Sequence, residues 1–280
     1  MTKVLLLVAL LILVFALWIY TRAFHSTYEE TVRHHLGSST ASKVDLLAEA
    51  DMHHLPLIVQ KYIRVTGSLG RPKIYNYRVE FKGGIRGKPD EAFMPLTSVQ
   101  YNFVDKPARL FYIEAKKMGI PAYGLHLYQD EHATFRIRVA GLVEVVNARG
   151  EKMDQGETVT LFNDMCVMAP ATLISKNIQW EPVDSLTVRA RYTNGSITIG
   201  ATLFFTESGE LVNFVSNDRY ETDGKVYNNY PWKTPIAEYK DINGYRLPSK
   251  AKLIYQYPNE DFCYGEFELV DITYNVEKFR

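Results

Sequence analysis

The sequence predicts a mainly β fold: a single antiparallel sheet domain over residues 44–280, covered by a central helix and preceded by an N-terminal transmembrane helix. Three observations predict it. After Lys73 apolar and polar residues alternate at period two through most of the chain, the pattern of strands with one buried face. Residues 156–180, GETVTLFNDMCVMAPATLISKNIQW, break the alternation with Val159, Phe162, Met165, Cys166 and Ala169 at spacings of three and four, a helical period. Residues 1–20, MTKVLLLVALLILVFALWIY, form an apolar run after a single Lys3, near the lower length limit for spanning a bilayer as a helix.

The first segment, residues 1–22, reads as an uncleaved membrane anchor. Trp18 and Tyr20 fall where an interfacial aromatic belt lies, with Arg22 just beyond. A cleaved signal peptide is the rival reading, but Thr21-Arg22-Ala23 puts a charge at the centre of the only nearby cleavage site. The expectation is a single-pass protein of the cell membrane with its C-terminal domain outside the cytoplasm. Residues 23–43, with His34-His35 and Gly37-Ser38-Ser39-Thr40, lack a sustained apolar face and read as a tether. Two short helical patterns follow at 44–52 and 55–66; Pro56 sits in the first turn of the second, Val59, Tyr62 and Ile63 form one stripe, and Gly67 closes it.

Strands then take over. Tyr75, Tyr77, Val79 and Phe81 alternate with polar residues up to a turn at Gly83-Gly84, and Val99, Tyr101 and Phe103 form the return. Residues 110–115, 123–128 and 133–139 continue the series, so that one face of the sheet is expected to stay wet. The central helix is placed at 158–174, with Thr158 as N-cap and Pro170 opening a second short turn. Beyond it the meander resumes at 186–192, turns at Asn194-Gly195, the strongest hairpin signal in the chain, and returns at 197–205. Strands at 211–219, 235–242, 245–257 and 262–274 bring the total to about ten. No stretch after Lys43 has linker composition and no β-α-β alternation appears, which favours one domain.

Composition narrows the function classes. Thirty-two basic residues balance thirty-two acidic ones, so no electrostatic footprint for nucleic acid exists and no nucleic-acid partner is expected. Nineteen Tyr and fourteen Phe suit half-buried strands and equally the wall of an apolar pocket. Cys166 and Cys263 are the only cysteines, which excludes a disulfide-stapled scaffold and a multi-Cys zinc site; a pair and two buried free thiols both remain open. His34-His35 and His53-His54 are adjacent pairs whose side chains diverge on a helix, and no H-E-x-x-H is present. The stretch 82–88, KGGIRGK, lacks the glycine spacing of a phosphate loop and is followed by Pro89. There is no G-x-S-x-G elbow. No cofactor, no metal site and no catalytic residue is expected.

Two polar constellations remain. Asn163-Asp164 interrupts the central helix, and Asn217-Asp218-Arg219-Tyr220 ends a strand, where Arg219 is placed to neutralise Asp164 or Asp218. They read either as a structural ion pair or as the polar end of an apolar ligand pocket. Trp180, Pro231-Trp232 and Thr234-Pro235 complete a candidate rim.

With GETVTLFNDMCVMAPATLI, the later NDRY at 217–220, PWKTP at 231–235 and NGYRLP at 243–248, the chain resembles a bacterial family of uncharacterised, membrane-anchored proteins, over residues 55 to the C-terminus. The resemblance transfers no catalytic residue. Its layout is similar to the half-barrel carriers of bacterial lipoproteins and lipids (LolA/LolB-like), which implies a curved antiparallel sheet with helices over an apolar cavity. The combined expectation is membrane-anchored, non-catalytic binding of an apolar or lipidic ligand between sheet and helix, with Phe162, Met165, Met168 and Trp180 lining the cavity, Asn163, Asp164 and Arg219 at its polar end and Trp232 at its rim. The alternatives are a hydrolase using Asp164 and Asp218 as acid and base, and a purely structural envelope protein.

Overall fold

The computed structural model describes residues 2–38 and 45–280, except the side chains of residues 2–6, 12, 13, 16 and 18. The expected interfacial role of Trp18, and the part of the tether from 39 to 43, lie outside the described residues. The chain forms helix α1 (Thr2–Ser38), a 3-10 turn (Glu49–Met52) and α2 (Leu57–Val65). Six strands follow: β1 (Asn76–Ile85), β2 (Met94–Phe103), β3 (Ala108–Lys117), β4 (Ile120–Gln129), β5 (His132–Val139) and β6 (Val143–Arg149). Helix α3 (Glu151–Met168) and a 3-10 turn (Pro170–Ile174) lead into β7 (Ile178–Pro182), β8 (Thr187–Asn194), β9 (Ile197–Phe205) and β10 (Leu211–Ser216). A short hairpin, β11 (Tyr220–Thr222) and β12 (Tyr227–Asn229), precedes β13 (Trp232–Ile242), β14 (Tyr245–Gln256) and β15 (Asp261–Tyr274).

Thirteen strands make one curved antiparallel sheet in the order β6-β5-β4-β3-β2-β1-β15-β14-β13-β10-β9-β8-β7. The two meanders on either side of α3 are joined by β1 and β15, first and last in sequence, which pair from Tyr77 with Tyr274 to Ile85 with Gly265. The count exceeds ten because β7 and the two strands of the small hairpin are only five and three residues long and β6 puts Val145 and Val146 side by side, breaking its alternation. Gly83 and Gly84 do not turn the chain. They lie inside β1, and a Cβ on Gly83 would stand 2.0 Å from the Glu266 carbonyl oxygen, so the glycine there serves a close approach of β15.

Two corrections concern the helices. The stretch read as a tether is helical as far as Ser38, and Phe24, Tyr28 and Val32, spaced i, i+4, i+8, are buried against Tyr101, Phe103, Leu110, Tyr112 and Leu125. Tyr28 stacks on Tyr112 with ring centroids 5.5 Å apart and its hydroxyl donates to the Val99 carbonyl. The outer face of β2–β4 is therefore dry, which is why Ala108 to Ile113 of β3 are buried without interruption. Among the described residues no helix is long and apolar enough to cross a membrane; the side chains of residues 1–6, 12, 13, 16 and 18 of the apolar run lie outside that set.

The second correction concerns α3. It starts at Glu151, after Gly150 with φ 101°, and not at Thr158, whose hydroxyl instead bonds the Asp154 carbonyl at 2.9 Å and meets the Tyr128 hydroxyl at 2.7 Å. Fifteen of its eighteen residues are buried, so the helix threads the concavity and is not a lid over it. Cys166 and Cys263 are both free.

Candidate functional site

The two long sides of α3 carry opposite chemistry. Phe162 points into the meander β7–β10, where it stacks on Tyr192 (centroids 5.2 Å apart, planes at 12°) and meets Phe214 edge-on at 5.7 Å and Trp180 at 6.4 Å. Glu157, Thr160 and Asp164, also at spacings of three and four, look toward β1–β6 across a cavity of about 860 Å³. That volume is in the range of small-molecule sites, roughly 300–1,000 Å³.

The strands grade the cavity along its length. Residues of one strand separated by two share a face, so β2 offers Gln100 and Asn102, β3 Arg109, Phe111 and Ile113, and β5 Phe135 and Ile137 to the same side. Asn102 pairs across with Arg109 and Gln100 with Phe111, which puts the polar residues at one end of these strands and the aromatic and aliphatic ones toward the other. Phe81, Ile85, Met94, Leu253, Phe262 and Phe267 extend the apolar wall to the exposed Gly87 and Lys88. One end is polar and closed, the other apolar and open.

At the closed end the Arg109 guanidinium donates from Nε to Asp164 Oδ2 at 2.8 Å, from Nη1 to Glu157 Oε2 at 3.1 Å and from Nη2 to Gln100 Oε1 at 2.8 Å. Asp164 Oδ2 also accepts from Gln100 Nε2 at 2.7 Å and Asn102 Nδ2 at 3.1 Å. Burying two carboxylates is tolerable only with such partners. Burial nevertheless raises the pKa of Asp164 against the opposing pull of Arg109 and Asn102. Burial also acts upward on Glu157, but the His126 imidazole and the Arg109 and Arg219 guanidinium groups outweigh it and hold that carboxyl low. Burial pushes the His126 imidazole down to about 4, so it is neutral at physiological pH.

Several polar atoms around the cavity have no hydrogen-bond partner among the described residues: His126 Nε2, Glu157 Oε1, Asn163 Nδ2 and Thr234 Oγ1. His126 Nε2 lies 3.1 Å from Glu157 Oε2, but without hydrogen-bond alignment. Buried polar groups left unpaired are rare and mark places where a further group completes the network. Arg219 lies over Trp232 at 4.7 Å and Tyr255 at 5.5 Å, donates to Thr160 Oγ1 at 3.0 Å and bonds the Tyr255 hydroxyl. Trp232 in turn donates from Nε1 to the Tyr264 hydroxyl at 3.1 Å.

Of the residues singled out in the sequence, Asn163, Asp164, Met168, Arg219 and Trp232 line this cavity. Phe162 and Trp180 do not. Met165 borders a separate void of about 20 Å³ with Tyr77, Asn102 and Tyr192. The counter-ion of Asp164 is Arg109 and not Arg219. Asp218 accepts from the Gly200 backbone N–H at 2.6 Å and does not line the cavity, so the structure does not assemble an Asp164/Asp218 pair. Sequence reading missed Gln100, Arg109, His126 and Glu157. Glu157, seven residues before Asp164, was legible as the same helix face; Arg109 was legible only as a charge inside the apolar run ARLFYI.

Residues 45–267 match a family described as a family of unknown function (DUF6544). No curated protein matches the sequence. Among solved structures, the chain is similar to a LolA superfamily protein from Nitrosomonas europaea, at 10% identity and a TM-score of 0.42, covering 78% of this chain and 92% of that one. It is also similar to a DUF1329 family protein from Desulfovibrio piger, at 10% identity and a TM-score of 0.44, covering 83% and 95%.

Proposed function

The chain belongs to the family of unknown function DUF6544, and from its cavity we propose that it is a membrane-anchored, non-catalytic binder of an amphiphile with an apolar tail. The observation that carries this reading is the graded cavity of about 860 Å³ between α3 and the concave face of the sheet, walled by β1–β6 and β13–β15. Its aromatic and aliphatic stretch suits a tail, and burying an acyl chain yields about 0.8 kcal/mol per CH₂. Its closed end, with the unpaired atoms of Glu157, His126 and Asn163, suits a head group that both donates and accepts hydrogen bonds. Two guanidinium groups face two carboxylates there, and that balance favours an uncharged head over a simple anion. Residues 1–20 act as a single-pass anchor in the cell membrane, with the sheet domain outside the cytoplasm; the uninterrupted apolar run supports this part of the reading.

Lipid extraction and mass spectrometry of the full chain, purified from bacterial membranes in detergent, test the binding. The control is Ala251→Trp, which fills the cavity from β14. Wild type should retain about one amphiphile per chain and the filled variant less than about a tenth of that. Equal lipid in two folded proteins would sink the reading.

A further inference from the structure

Strand register gathers four turns at one end of the sheet. Ile85 pairs with Met94, Lys117 with Ile120, Val139 with Val143 and Gln256 with Asp261, while Ile85 also pairs with Gly265 of β15. The turns β1–β2, β3–β4, β5–β6 and β14–β15 therefore sit together, and Arg86, Gly87, Lys88, Met94 and Phe262 place the open end of the cavity among them.

Helix α1 leaves the domain at the same end. His35 lies at the opposite end, its Nε2 2.9 Å from Gln129 Oε1 and its ring 4.9 Å from Phe103. Tyr20 and Phe24 lie under the Arg138 guanidinium, each 4.3 Å away, and Thr21 abuts Gly141 in the β5–β6 turn. From Tyr20 back to Thr2 the helix runs on beyond the turns, about 28 Å at ~1.5 Å per residue, against a hydrocarbon core of ~30 Å. Leu7, Leu10, Leu11, Val14 and Phe15 are exposed along it.

The turn tips beside this exit are apolar where folding does not ask for it. Met118 is 96% exposed and holds φ 53°, followed by Gly119 at φ 81°. Asn or Gly normally occupies such a position, and a bulky side chain there costs backbone energy with no contact in return. Ile120, Leu142, Val143 and Val145 are also exposed. Two of the charges beside them are already paired, Lys117 with Glu91 and Arg136 with Glu144.

We propose that this end of the sheet docks on a lipid bilayer, Met118, Ile120, Leu142 and Val143 entering the interface so that the cavity mouth opens directly onto the membrane. The docking rests on the anchor reading of α1, because a helix embedded up to Tyr20 brings these turns to the membrane surface. It does not depend on the cavity holding a ligand. The head group enters first toward Arg109 and Glu157, and the tail follows along the apolar wall.

The test uses the full chain in phosphatidylcholine vesicles, with Met118→Trp compared to Asp105→Trp, an exposed site in the β2–β3 turn at the far end. Lipids brominated on the acyl chains should quench the added fluorescence of Met118→Trp and not that of Asp105→Trp, in low and high salt alike. Equal quenching at both sites, or none at residue 118 in protein that floats with the vesicles, overturns the docking; failure to float overturns the anchor on which it rests. As a second readout, M118S/L142S should slow delivery of the extracted amphiphile to acceptor vesicles by at least about tenfold, while the amount bound is unchanged. Quenching at residue 118 in protein that carries no amphiphile would leave the docking standing and remove the cavity reading alone.

Discussion

The two flanks of α3 meet the same sheet in different ways. Toward β7–β10 the helix packs Phe162 into a dry aromatic cluster with Tyr192 and Phe214, and nothing polar intervenes. On the other flank the first turns of α3 rest on β4 and β5, where Asp154 accepts from the Ala133 N–H and Thr158 meets Tyr128, but farther along a gap opens before β1–β3 and β13–β15 that holds Arg109, Glu157, Asp164 and His126 at one end and an apolar channel at the other. The difference originates in the strands. On the far side of the sheet α1 already covers β2–β4, so that meander is anchored without help from α3, and its concave face is free to enclose a cavity. The β8–β9 strands have no such cover: Arg189 and Arg191 of β8 are exposed, and their burial comes from α3.

Two substitutions of similar size break the two flanks by opposite chemistry. Phe162→Ala should cost about 3–5 kcal/mol in urea unfolding, through lost ring burial and an unfilled cavity. Arg109→Met should cost about 3–5 kcal/mol as well, because it leaves the Asp164 and Glu157 carboxylates without their cation in a buried site. The flanks then separate by rescue. Adding Asp164→Asn and Glu157→Gln should recover most of the Arg109→Met loss, since an uncharged cluster carries no ion desolvation. The same pair of changes added to Phe162→Ala should recover nothing. Rescue of both, or of neither, would mean that the two flanks are not energetically distinct.

This contrast also shows what sequence reading reached. The β meander, the Asn194-Gly195 hairpin and the helix around Phe162 were legible because each is a local pattern, a period of two, a turn dipeptide or a period near 3.6. Asn163, Asp164, Met168, Arg219 and Trp232 do border the cavity, whereas Phe162 and Met165 do not, because on a helix buried on all sides a period near 3.6 marks apolar positions without telling which of them meet dense packing and which meet open space. Arg109 needed tertiary knowledge, since its partners are 48 and 55 residues away in the chain. The docked half of α1 escaped notice because Phe24, Tyr28 and Val32 are separated by polar residues that keep its mean hydropathy low.

The flank facing the cavity should also be the pH-sensitive one. His126 has its pKa lowered to about 4 by burial, against ~6.5 in an unfolded chain. Between those values the unfolded state binds the proton and the folded state does not, so stability is lost as pH falls from about 6.5 toward 4. The loss between pH 7 and 5 is on the order of 2 kcal/mol, a window that lies above the ordinary range of Glu157. Urea midpoints measured across it should fall in wild type and in a Phe162→Leu variant, and stay nearly flat in His126→Gln. A flat wild-type profile would mean that the imidazole is solvated or already charged in the fold.

The smallest effect belongs to Trp180, which the sequence nominated as a cavity wall. Its ring stands 6.4 Å from Phe162 on the dry flank, and its Nε1 has no hydrogen-bond partner among the described residues. Replacing it with Phe therefore removes a donor that satisfies nothing, and half-buried aromatic packing against Phe162 is kept. Trp180→Phe should change unfolding free energy by less than about 0.5 kcal/mol and leave the extracted amphiphile at the wild-type amount. Loss of the amphiphile with an unchanged urea midpoint would put a ligand contact on the dry flank and end the division of labour between the two sides of α3.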